Sequence, residues 1–121
     1  MCEKPVLEGG RCPVEVAVEV IGGKWKTVIL FHLIRNNTMR FNALKRTMPD
    51  ITQRMLTKQL RELEASGIVH REIYQEIPPK VEYSITEFGQ TLVPILESLY
   101  DWGASYIQQE KAAQEAQGRC E

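Results

Sequence analysis

The chain has 121 residues, 43% of them hydrophobic and 26% charged, which is enough for one domain around one core. Its longest uninterrupted apolar run, V-I-L-F at residues 28–31, is far short of the roughly 18 residues a membrane helix needs. Residues 1–6, M-C-E-K-P-V, hold no apolar core of a secretory signal, so a cytoplasmic protein with reduced thiols and no membrane partner is expected.

A net charge of -1 conceals an asymmetry. Residues 24–61 hold nine cations and one anion, Asp50, for a local charge of +8, and the remainder of the chain carries -9. Such a segment suits a polyanion, although the same charges would also decorate a solvated face.

In chain order, residues 1–11 read as a mobile arm containing Gly9-Gly10. Pro13 suits the first position of a helix. Val14, Ala17, Val18 and Ile21 repeat at helical spacing before Gly22-Gly23 stops it. A second helix is predicted over residues 24–35. Trp25, Val28, Ile29, His32 and Leu33 share one face, and Leu30, Phe31 and Ile34 make it apolar nearly all round. Asn36-Asn37 marks a turn, Met39-Arg40 a very short strand, and residues 41–48 a third helix with Phe41, Leu44 and Met48 inward.

Residues 49–67 organise the rest. Thr52 is placed to cap a helix and Gly67 to end it in a left-handed conformation. Leu56, Leu60 and Leu63 fall on one face; Arg54, Thr57, Lys58 and Arg61 fall roughly opposite. Two short helices, a tight turn and a cationic second helix make a helix-turn-helix pattern. The period then changes from 3.6 to 2. Residues 68–74 and 81–85 read as two strands joined by a stiff tip at Pro78-Pro79, a β-wing. A last helix is predicted from Thr86-Glu87, with Pro94 kinking or splitting it. Phe88, Leu92, Ile95, Leu99, Trp102 and Tyr106 step by 4, 3, 4, 3, 4, a seam suited to a second copy of the chain or to a lid over the core. Residues 12–107 thus form the domain, and residues 108–121 a fraying tail.

A duplex is read through its major groove by side chains that reach base edges, held by cations on phosphates. Gln53, Arg54, Thr57 and Lys58 are the candidates for the groove, with Thr52 and Asn42 beside them. Arg61, Lys45 and Arg40 suit phosphate, and Arg71 and Lys80 lie on or near the wing. If Pro13 opens the first helix, Cys12 sits at its N-cap, where the helix dipole and Arg11 favour thiolate and oxidant chemistry; a plain capping residue is the alternative. Cys2 and Cys120 lie near the ends. His32 reads as a core histidine and His70 as a wing-base side chain. No spacing of His, Cys and carboxylates suits a metal, and no phosphate loop, nucleophile elbow or acid/base pair is evident, so no cofactor and no enzyme activity are expected. Trp25, Phe88 and Leu92 mark a candidate place for a small-molecule effector.

Several motifs now stand in order: C-P-V and I-G-G-K-W within residues 12–25, R-F-N-A-L at 40–44, I-T-Q-R-M-L-T-K-Q-L-R-E-L-E at 51–64, P-P-K-V-E-Y-S-I-T-E-F-G at 78–89, and D-W-G at 101–103. Together they resemble the HxlR-type family of bacterial transcriptional regulators, a branch of MarR-like winged helix-turn-helix proteins. The resemblance implies a mainly α fold with a small β-wing. It also implies a homodimer joined by N- and C-terminal helices and bound to a pseudo-palindromic operator in double-stranded DNA. Cys12 matches the family's N-terminal cysteine, which in some members senses electrophiles or disulfide stress.

Overall fold

The computed structural model describes residues 10–120, with side chains to residue 118. The expected mobile arm, apart from its last two residues, lies outside the described residues, as do Cys2 and the Cys120 side chain. The element order is α1 (Pro13–Ile21), α2 (Lys26–Asn36), β1 (Thr38–Arg40), α3 (Phe41–Thr47), α4 (Gln53–Ala65), β2 (Val69–Tyr74), β3 (Lys80–Ile85), a short 3-10 turn (Gly89–Leu92) and α5 (Val93–Cys120). The chain divides into two compact units, one through Gln90 and one from Thr91 onward.

In the first unit, α2 is the central helix, as its nearly all-apolar surface requires: Ile29, Leu30 and Leu33 are fully buried. Leu44 of α3, Leu56, Leu60 and Leu63 of α4, and Ile51 in the turn between them join the same core. Each such leucine contributes about 2 kcal/mol of apolar transfer. The first turn of α2 is less regular than its composition suggests. The helix begins at Lys26, two residues later than expected, because Gly23 takes a positive φ of 90° and Trp25 is left as the N-cap.

The three strands form an antiparallel sheet in the order β1-β3-β2. Met39 lies opposite Tyr83 and Arg71 opposite Tyr83 on the other side, so the buried Tyr83 is the centre of the sheet. The short β1 covers the edge of β3 that a two-stranded wing would leave open. Like charges meet at Glu72 and Glu82, a destabilising arrangement. It is offset by His70 at 2.8 Å from Glu72 and Lys80 at 3.8 Å from Glu82.

The last helix differs from expectation. It starts at Val93, not Thr86, and is not split. Pro94 has no N–H to give a preceding turn, so it belongs in the first turn of α5 rather than in its interior. The Thr86 hydroxyl is used elsewhere: it donates to the Gly67 carbonyl at 2.6 Å and accepts from the Gly89 amide at 2.9 Å. Phe88 therefore lies outside α5, and Leu92 in the 3-10 turn; only Ile95, Leu99, Trp102 and Tyr106 continue the seam on one α-helix. Gly89 is required there, since a Cβ would strike the Ile68 carbonyl. The helix also runs past residue 108 to Cys120, consistent with the Ala, Gln, Glu and Lys that fill the tail.

Candidate nucleic-acid interface

The cationic helix α4 is set at both ends by its own sequence. The Thr52 hydroxyl accepts the Met55 amide at 3.0 Å, as an N-cap does. At the other end the Ile68 amide reaches the Leu63 carbonyl and the Gly67 amide the Glu64 carbonyl, both at 3.0 Å, with Gly67 at φ 79°. This is a Schellman closure, and it needs the left-handed glycine. Thr86 then ties Gly67 to the foot of β3, so the end of α4 and the base of the wing are one clasp.

With the leucines buried, Arg54, Lys58 and Arg61 are exposed and Thr57 is half-buried. The Thr57 hydroxyl donates back to the Gln53 carbonyl at 2.9 Å, so its methyl and its oxygen lone pairs are what it offers outward. Among the described residues, Arg54, Lys58 and Arg61 are in no ion pair. An open concavity of about 840 Å³ lies over this face, lined by Thr52, Gln53, Arg54, Met55, Thr57, Lys58, Arg61 and Glu62. Beside it, a recess of about 260 Å³ runs from α4 to the wing, where Gln53, Thr57 and Arg61 meet Phe41, Glu64, Arg71, Val81 and Tyr83. Burial pushes the Tyr83 phenol above its ordinary value.

The other candidate cations separate into two groups. Arg40, with the neutral Asn42 near it, is exposed at the start of α3, and Lys45 is half-buried in the last turn of that helix. The wing cations are engaged within the protein. Arg71 Nε is 3.5 Å from Glu64 Oε2; Lys80 lies 4.5 Å from the Tyr74 ring centre as well as beside Glu82. Lys26, one of the nine cations of the basic segment, is also committed. Its side chain is 12% exposed, and its ammonium donates to Glu62 Oε1 at 2.8 Å, holding that carboxyl below its ordinary value, with Lys58 adding to the effect. No local pattern signals this pair, because Lys26 and Glu62 belong to different helices.

The profile of the HxlR-like helix-turn-helix family matches residues 20–111. The chain belongs to that family. It is 61% identical over 101 residues to the HTH-type transcriptional regulator YybR of Bacillus subtilis, covering 84% of this chain and 78% of YybR. It is 52% identical over 111 residues to YdeP of the same organism, covering 89% and 86%. Among solved structures, the redox regulator HypR in its reduced form superposes with a TM-score of 0.79 at 55% identity, covering 84% of this chain and 99% of that one. The oxidised form of HypR gives 0.74 at 61%, covering 78% and 96%. This HxlR-like chain is a DNA-binding winged helix-turn-helix transcriptional regulator, of a family whose members act by binding and not as enzymes. Among the described residues no helix is long and apolar enough to cross a membrane.

Two features of this HxlR-like chain lie away from α4. Cys12 is the N-cap of α1, with Pro13 in the first turn and the Cys12 carbonyl accepting the Val16 amide at 3.1 Å; the half-buried thiol makes no capping bond. Arg11, expected to act on that thiol, reaches Glu19 at 3.2 Å. Apolar side chains are exposed on both terminal helices: Val14 and Val18 on α1, and Ile95, Leu99, Trp102 and Tyr106 on α5, the last two stacked at 5.5 Å. Trp25 is half-buried beneath Lys24, 4.7 Å above its ring, and Phe88 is exposed.

Proposed function

We propose that the protein acts in the cytoplasm as a homodimer and reads a pseudo-palindromic operator with one α4 in the major groove of each half-site. The observation that carries this is the two-sided character of α4: three fully or nearly fully buried leucines behind, and Arg54, Lys58 and Arg61 exposed and outside any ion pair in front. In this arrangement Gln53, Arg54, Thr57 and Lys58 reach base edges, and Arg40, Lys45 and Arg61 hold phosphates, with Thr52 and Asn42 at the margin. Arg71 and Lys80 would reach the backbone beside the half-site once drawn from their carboxylates. The exposed apolar side chains of α1 and α5 join the two copies, spacing the reading helices about 34 Å apart. A titration of the purified protein against a duplex from upstream of its own gene tests this. A shift at low salt that weakens steeply with added salt supports it, and no shift with or without oxidant overturns it.

A second reading concerns the signal. Cys12 at the N-terminus of α1, together with the likeness to the redox regulator HypR, favours a thiol switch. Cys12 and a second thiol would each lose a hydrogen to an oxidant such as diamide, which takes up both and leaves a disulfide. The bond would shift α1 and the spacing of the two reading helices. DNA affinity that ignores diamide, and is the same in Cys12→Ser, counts against it.

A further inference from the structure

The cationic strip of α4 is bordered by two acids. At about 100° per residue, Arg54, Lys58 and Arg61 point away from the buried leucines, while Glu62 and Glu64 lie on opposite flanks. Glu62 faces α2, where it meets Lys26, and Glu64 faces β2, where it meets Arg71. Glu62 is the one acid among the residues lining the open concavity over the reading face. A duplex entering that concavity brings its phosphates near a carboxylate that lies beside the three cations proposed to contact it, and like charges at an interface oppose association.

Lys26 answers that charge. Its ammonium is 2.8 Å from Glu62 Oε1, and with a side chain 12% exposed it is not itself presented to a phosphate. It occupies the first position of α2, whose Ile29, Leu30 and Leu33 are anchored in the core, so the ammonium is held in place. A cation at a helix N-terminus opposes the helix dipole, and no acid lies in the first turn of α2. Glu62, arriving from α4, supplies the missing negative charge. The two groups therefore neutralise each other across the boundary between the central helix and the reading helix.

We propose that Lys26 governs DNA affinity without touching DNA, by cancelling the Glu62 carboxylate at the edge of the α4 reading face. Lys26 is a positioning and shielding residue, and its role rests on the assignment of α4 as the DNA-reading helix. A pair that merely braces two helices would behave differently from a shield. Breaking a brace from either side loosens α4 and weakens binding. Removing the two members of a shield shifts the local charge in opposite directions.

The experiment is a fluorescence-anisotropy titration of a labelled duplex from upstream of the protein's own gene, and of a scrambled duplex, at low and raised salt. Lys26→Met is expected to bind both duplexes about three- to tenfold more weakly at low salt, and Glu62→Gln more tightly by a similar factor, both shifts shrinking as salt rises. The double variant is expected to return to the wild-type value. Weaker binding by both single variants, or a double variant that stays weak, overturns the proposal. If Lys26→Met does not fold, Glu62→Gln decides alone: tighter binding supports the shield, and unchanged or weaker binding overturns it. Wild-type protein that binds neither duplex overturns the DNA-reading assignment itself, whereas wild-type binding with same-sign variants overturns only the shield.

Discussion

Arg71 Nε lies 3.5 Å from Glu64 Oε2, so a cation of the wing is tied to the last turn of α4. The pair crosses the recess that Gln53, Thr57 and Arg61 share with Val81 and Tyr83. Both side chains are substantially exposed, at 44% and 36%, so the bond is of the kind that contributes about 0–1 kcal/mol to stability. It directs Arg71 toward α4 more than it holds the fold together.

Glu64→Ala should therefore release Arg71 toward the DNA backbone. The expected result is affinity higher by about two- to threefold at low salt, with the slope of log affinity against log salt steeper by about one for one added phosphate contact. Chemical denaturation should show a change of no more than about 1 kcal/mol. An unchanged salt slope would mean that Arg71 stays on the protein.

Arg54 and Lys45 should separate base reading from phosphate holding. Arg54→Ala is expected to relax preference at one base pair, at a cost of about 1–3 kcal/mol on the preferred duplex. Lys45→Ala should weaken binding to all sequences alike. Competition against a set of singly substituted duplexes distinguishes the two, and equal effects would argue against the assigned roles.

The Thr52 cap makes a prediction about stability. Thr52→Ala removes the acceptor for the Met55 amide and should cost about 1 kcal/mol, lowering Tm by roughly 4 °C. Thr52→Ser keeps the oxygen and should recover most of the loss. A thermal melt of the three proteins at one concentration suffices.

His32 should give the fold a dependence on acid. Burial, with Arg35 adding, holds its imidazole below the ordinary value of 6.5. The folded state thus binds this proton less readily than the unfolded chain. The stabilising contribution is full above the unfolded value and is lost as pH falls through the lower folded one. Tm should fall on going from neutral pH toward pH 5, and His32→Gln should flatten that fall. A melt series across that range that is identical for the two proteins would remove His32 from the account.

Much of this molecule is local and so was legible in the chain. Both ends of α4 rest on residues adjacent in sequence: Thr52 bonds three residues ahead, and Gly67 supplies a conformation that other residues adopt at a cost. The leucine period settled which side of α4 is buried, and the change from period 3.6 to 2 located the wing to within a residue. Misreadings arose where one group had two possible partners. Thr86-Glu87 reads as the start of a long helix, yet the Thr86 hydroxyl accepts the amide that opens the 3-10 turn and donates to the Gly67 carbonyl, nineteen residues back in the chain. Only packing of the wing base against the end of α4 brings that carbonyl within reach. Pro94 is expected to kink or split the last helix, but it lies in the first turn of an unbroken α5, where its missing N–H is not needed.

The cationic segment shows the same division. Sequence by itself determined that residues 24–61 carry a large positive charge and that Arg54, Lys58 and Arg61 share a helical face away from the leucines, because both follow from composition and a fixed angle per residue. Tertiary structure alone decided which cations remain for a partner. Lys26 and Arg71 are spent on Glu62 and Glu64 because α2 and β2 pack on either flank of α4. Pairing of charges depends on a few ångströms of separation, and that separation is set by the core, not by distance along the chain.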